Sequence, residues 1–282
     1  MRKLWLYLAK EYEAFLNFLK FIIRVEEGIN KNYCFSMAAE FGFYSLYCII
    51  PFLVFLIMVA GYIPFEGAQQ AVTQMQSVLP DYVVDIFFPI VGDILNNPRK
   101  LLTILTALLS VFAASATFGG VATYLNRIFG CKEKRPYWKR KLIDMALVLF
   151  TVVVIILATM MLIFIPAMFN LLTWGLSILV LNFNLQIIYK FLPNSKQKFK
   201  LISFGSIFTL LCWGLVTWGF TIYFTNFSSY NIVYGTMGSI IAFLTWTYLL
   251  GFILVLGALI NHELDKGYVL KKRPRKLRKK RA

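Results

Sequence analysis

The sequence predicts an all-α, polytopic membrane protein with six transmembrane helices, an N-terminal amphipathic helix and an external amphipathic loop. Three observations carry this. The 282 residues are 59% hydrophobic and only 15% charged, against roughly 45–50% and 25% in soluble domains. No charged residue falls between Gly235 and Asn261, and about 20 apolar residues already cross a bilayer core. The Lys and Arg residues are bunched by segment instead of spread evenly. No charge-rich stretch is long enough for a soluble catalytic domain on a single anchor, so one membrane domain is expected.

The elements follow in order. Residues 1–35 read as a cytoplasmic amphipathic helix. Polar residues recur at Lys10, Glu13, Asn17, Lys20, Arg24 and Glu27, at spacings of three and four, which is one stripe of a helix. Tyr12, Phe15, Leu16, Leu19, Ile22 and Ile23 fill the opposite face. Such a helix lies along a membrane surface or packs beneath the bundle. The membrane domain is expected over 36–264. Its first span, Ser36–Ala60, contains Glu40 and a kink at Pro51. Between 61 and 100, Asp81, Asp85, Asp93 and Asn96 oppose Val84, Phe87, Phe88, Val91, Ile94 and Leu95, predicting an amphipathic element on the outer face. Spans at Leu101–Val121, Leu142–Ile165, Leu171–Tyr189 and Leu201–Phe224 follow, then the run from Gly235. Gly119-Gly120 and Pro166 are expected flexing points, and Asp144 opens the third span. Residues 265–282 form a basic cytoplasmic tail with nine Lys or Arg in the eleven residues from Lys271 to Arg281.

Orientation comes from charge. Alternate non-spanning segments hold 27 of the 29 Lys and Arg, and the spans hold none. Cytoplasmic loops retain Lys and Arg, so both termini are expected in the cytoplasm of a bacterial inner membrane. The net charge of +16 is then a consequence of topology; a basic tail beside a span favours anionic headgroups over nucleic acid. Cys34, Cys48, Cys131 and Cys212 are dispersed, and His262 is the only histidine. No disulfide framework, metal set or cofactor is expected.

Polar groups inside spans are the candidate functional residues, because hydrocarbon penalises them. Glu40 lies about one turn into the first span. Asn182 and Gln186, four apart, share a helix face, with Asn184 near the opposite side. They act as a cavity lining or as helix–helix glue. Asn126 and Arg127 follow the second span. Arg135 and Arg140 in the following loop, with Lys271, Lys272 and Arg273 in the tail, are candidate contacts to anionic headgroups.

Several segments resemble the YihY/BrkB family of bacterial inner-membrane proteins, once labelled ribonuclease BN. They are Asn32-Tyr-Cys-Phe-Ser-Met-Ala-Ala39, Phe43-Tyr-Ser-Leu46, Ala122-Thr-Tyr-Leu-Asn-Arg127, Arg135-Pro-Tyr-Trp138, Phe191-Leu-Pro-Asn194, Tyr234-Gly235, Trp246-Thr-Tyr248 and Gly257-Ala-Leu-Ile-Asn261. The resemblance implies six helices with cytoplasmic termini and a link to envelope integrity, serum resistance or lipid export. It brings no catalytic residues. The function expected is a transporter or lipid translocase of the bacterial cytoplasmic membrane; the alternatives are a membrane scaffold without transport and a ribonuclease. The partners expected are membrane lipids.

Overall fold

The structure is a computed structural model that describes residues 2–60, 62, 99–164, 170–195, 199–226 and 231–272. The external amphipathic element expected within 61–100, Pro166 and the tail from Arg273 onward lie outside the described residues. The described residues form seven helices and no strand. They are α1 (Arg2–Lys31), α2 (Cys34–Ala60), α3 (Lys100–Ile128), α4 (Tyr137–Phe164), α5 (Asn170–Phe191), α6 (Phe204–Asn226) and α7 (Asn231–Lys272).

Five of these, α2, α3, α4, α6 and α7, are long and apolar enough to cross a membrane. The expected fourth span is the short one: α5 contributes an apolar stretch of Gly175–Phe191. Helices outrun their hydrophobic runs at several ends. The second span was expected to stop at Val121, yet α3 continues to Ile128. The last was expected to give way to tail after Leu264, yet α7 continues to Lys272. Hydropathy marks where a helix meets lipid, and polar residues carry the same backbone hydrogen bonds onward. Pro51 sits inside α2 without ending it, and α3 runs unbroken through Gly119-Gly120.

The α1–α2 junction has a local cause. Asn32 folds back on α1: its backbone N–H and its Nδ2 both donate to the Gly28 carbonyl, at 3.0 and 2.7 Å. Tyr33 then adopts φ 56°, a left-handed residue that stops one helix so the next can start.

Two compact units make up the chain. One comprises Met1–Phe43 and Thr117–Ala282; the other is Tyr44–Ala116. The first holds the core. Met37, Leu125, Leu185, Leu192, Val255 and Leu259 are all but inaccessible, drawn from α2, α3, α5, the segment after it and α7. Helices α6 and α7 meet backbone to backbone. A Cβ on Gly205 would overlap the Gly257 carbonyl oxygen, and a Cβ on Gly257 would lie 2.7 Å from both the Gly205 carbonyl and the Tyr189 hydroxyl. Gly28 of α1 faces the Leu259 side chain of α7, which lies 2.9 Å from where a Cβ would stand. Small residues at such crossings are what spans use to approach closely. In the second unit, apolar side chains of α2 and α3 such as Ile50, Leu53, Leu105, Leu108 and Leu109 are more than half exposed, the surface a span offers to lipid.

Candidate functional site at the basic end of the bundle

Four segments that the charge pattern places on one side meet at one end of the first unit. They are the α1–α2 junction, the α3–α4 loop, the α5–α6 loop and the last turns of α7. The Arg127 guanidinium lies 4.9 Å from the Tyr33 ring centroid. Asn194 Nδ2 donates to the Lys132 carbonyl at 3.1 Å. Lys200 pairs with Asp265 at 2.5 Å. The His262 ring meets Phe129 edge-on at 5.5 Å.

At the centre is a knot tied by Asn126. Its Nδ2 donates to Glu133 Oε2 at 3.1 Å, and its Oδ1 accepts from the Asn194 backbone N–H at 2.6 Å. Arg135 completes it. Arg135 Nε donates to Glu133 Oε1 at 2.8 Å and Nη2 to Oε2 at 2.7 Å, a two-pronged grip on one carboxylate. The same guanidinium donates to the Phe191 and Leu192 carbonyls at 3.3 and 2.8 Å, satisfying the end of α5. The Arg135 grip, aided by hydrogen bonds from the Arg135 backbone and Asn126, holds the Glu133 carboxyl down to about 2, and the carboxylate in return raises Arg135 above its ordinary range. Glu133 was not foreseen; it read as one more charge in a basic loop.

A second cluster joins α5, α6 and α7. Asn182 Nδ2 donates to the Leu201 carbonyl at 2.9 Å, and its Oδ1 accepts from Ser206 Oγ at 2.6 Å. The Gln186 amide satisfies both ends when its oxygen accepts from the Ser203 N–H at 2.9 Å and its nitrogen donates to the Lys200 carbonyl at 3.1 Å. Asn261 of α7 donates to Ser203 Oγ at 2.9 Å and accepts from the Gly205 N–H at 2.8 Å. Deeper, Tyr189 donates to the Leu254 carbonyl at 2.9 Å and touches Thr209 Oγ1 at 2.9 Å. Asn182 and Gln186 thus share one cluster, as their spacing implies. Asn184 turns the other way, accepting from Thr151 of α4 at 3.2 Å. Beside this cluster is a cavity of about 30 Å³ lined by Gln186, Tyr189, Lys200, Ser203, Asn261 and Asp265 among others. That is the room of a single water molecule.

The remaining candidates lie on α2, α3 and α4. Half-buried Glu40 faces the Tyr124 hydroxyl, and Arg127, exposed, lies near Tyr33 and Tyr124, so Glu40 and Arg127 share Tyr124 as a neighbour. Arg140 Nη2 donates to the Gly119 carbonyl and, at 2.7 Å, to Thr123 Oγ1. Lys271 and Lys272 end α7, and Arg273 lies outside the described residues. Among the described residues no three His, Cys, Asp or Glu side chains are grouped to hold a metal ion.

Comparison with known proteins adds the family. A family model described as virulence factor BrkB matches residues 25–282. The chain belongs to this family. The ribonuclease-like protein YfkH of Bacillus subtilis (strain 168) is 25% identical over 82% of this chain and 90% of its own length. A UPF0761 membrane protein of Vibrio campbellii is 24% identical over 92% of this chain and 85% of its own. Another, from Psychrobacter, is 26% identical over 89% of this chain but only 49% of its own length. No solved structure matches. This BrkB-family chain is a multi-pass membrane protein, and the word ribonuclease belongs to the name of YfkH. Three of the segments behind the resemblance come together at the knot: Asn126 from the first, Arg135 from the second, and Phe191, Leu192 and Asn194 from the third.

Proposed function

We propose that this BrkB-family protein resides in the bacterial cytoplasmic membrane, with its basic end and both termini in the cytoplasm, and moves an anionic lipid between leaflets. One observation carries the reading. Along α3, Thr103, Thr106, Ser110 and Thr117 recur at intervals of three, four and seven and so share a face. Ser110 and Thr117 are buried. Thr103, Thr106 and Ser110 donate to carbonyls of their own or the preceding turn, which leaves lone pairs for a passing polar group. In the first unit, Tyr124 of the same helix has Glu40 and Arg127 beside it. Arg127, over its aromatic neighbours, supplies an exposed cation for a phosphate headgroup.

The scaffold reading rests on a different observation. The amides best placed to line a cavity, Asn182 and Gln186, are spent on bonds between elements, and the cavity beside them is small.

Liposomes made from native lipids with fluorescent phosphatidylglycerol separate the two. A translocase accelerates leaflet exchange over empty vesicles, and filling the α3 face with Ser110→Leu slows it. Equal exchange with and without protein leaves the scaffold. Proteolysis of a tag fused after Ala282, in right-side-out and inverted membranes, checks the orientation.

A further inference from the structure

Among the described residues, Asp144 is a buried charged group near the start of an expected span that the preceding sections do not use. It lies seven residues into α4, about 10 Å along the helix, and is 3% exposed. Its carboxylate occupies a notch in α3: Oδ2 lies 3.2 Å from where a Cβ on Gly119 would stand. Oδ1 is buried and has no hydrogen-bond partner among the described residues. The nearest matching cation, Arg140, is one turn away on the same helix, yet its Nη2 donates to Gly119 and Thr123 of α3. The other charged groups around Asp144 are Lys141 on α4 and Arg135 and Glu133 in the preceding loop; from α3 it meets Gly119. Arg135 and Glu133 are committed to each other.

A buried carboxylate with an orphan oxygen is costly. Arg140 would relieve it by a small swing, and in this structure Arg140 is held on α3 instead. That arrangement suits a neutral carboxylic acid. We infer that Asp144 is a proton-binding site whose occupancy controls a latch between α3 and α4. With the proton on Oδ1, the side chain is neutral and Arg140 stays on Gly119 and Thr123. When the proton leaves to water, the carboxylate draws Arg140 to itself, and α3 loses both bonds. The ligand is the proton itself, and the inference does not depend on whether the protein moves lipid.

The test is infrared difference spectroscopy of the full chain in native-lipid liposomes, titrated from acidic to alkaline buffer. The wild-type protein shows a protonated-carboxyl band that disappears on titration. Asp144→Asn lacks that band. Gly119→Ala retains it with a displaced titration midpoint, because the new methyl crowds Oδ2. Identical difference spectra for wild type and Asp144→Asn overturn the inference, since the titrating groups are then elsewhere. Should Asp144→Asn fail to fold, Gly119→Ala decides alone: an unmoved midpoint overturns the inference.

Discussion

The two compact units differ in their polar side chains, although both contain hydroxyls that donate within their own helix, Thr159, Thr221 and Thr245 among them in the first. In the first, hydroxyls and amides reach across helices: Tyr189 of α5 to Leu254 of α7, Trp213 of α6 to Leu250 of α7, Asn261 of α7 to Ser203 before α6. In the second, Cys48 in α2 and Thr103, Thr106 and Ser110 in α3 donate to carbonyls of their own helix. Thr106 Oγ1 also approaches Met58 of α2, at a sulfur distance of 3.6 Å. Hydrocarbon provides no water to replace a broken bond. A helix bonded across its seam therefore resists separation, while one that satisfies itself slides at little cost. The comparison teaches where the described helices are fastened to one another by polar side chains.

That contrast can be broken first at the α6–α7 seam. Gly257→Leu forces a side chain between the Gly205 carbonyl and the Tyr189 hydroxyl. The expected cost is about 3 kcal/mol or more, read as loss of the monodisperse peak in detergent chromatography. The knot comes next. Glu133→Gln removes a carboxylate gripped by Arg135, and about 1–3 kcal/mol of stability at neutral pH is expected to go with it. The sign with pH is fixed. The folded Glu133 carboxyl is held down to about 2, so its stabilising effect is complete above the ordinary glutamate value of ~4.3. It fades as pH falls toward 2. Melting curves of wild type and Glu133→Gln should be well separated at neutral pH and converge in acid.

Asn182→Ala is milder. It opens the bonds to Leu201 and Ser206, and interhelical bonds of this kind are worth about 0.6 kcal/mol each. A small drop in melting temperature is expected. Leu108→Ala in the second unit, at a side chain 57% exposed, should move stability by less than about 0.5 kcal/mol. A large effect there would show that the exposed face of α3 is covered by protein, and the contrast between units would have to be redrawn.

Much of this architecture is legible from hydropathy and charge. Apolar runs locate the spans, and bunched Lys and Arg identify the loops that gather at one end. The spacing of Asn182 and Gln186 puts them in one cluster, and the placement of Asn184 sends it elsewhere. What stays hidden is partnership between distant segments. Glu133 sits among Lys132, Lys134 and Arg135, where a local reading sees only a solvated loop; its tie to Asn126 and, through Asn126, to Asn194 exists only in three dimensions. Asp144 looks like an interfacial residue at the start of a hydrophobic run. Because α4 begins at Tyr137, Asp144 stands two turns along a helix that starts before the hydrophobic run, and it packs against a glycine. Gly119-Gly120 reads as a flexing point; in the structure Gly119 supplies a notch for a carboxylate and a carbonyl for Arg140.

The Asn126 knot also sets an order of assembly. Its partner Asn194 lies 68 residues downstream, beyond all of α4 and α5. When α3 has left the ribosome, Asn126 has only half of its final contacts within reach. The second contact forms only after α4 and α5 have been made and the segment that follows them has folded back against the end of α3. The hairpin of α4 and α5 is thus clasped at its base by a residue made before either of them.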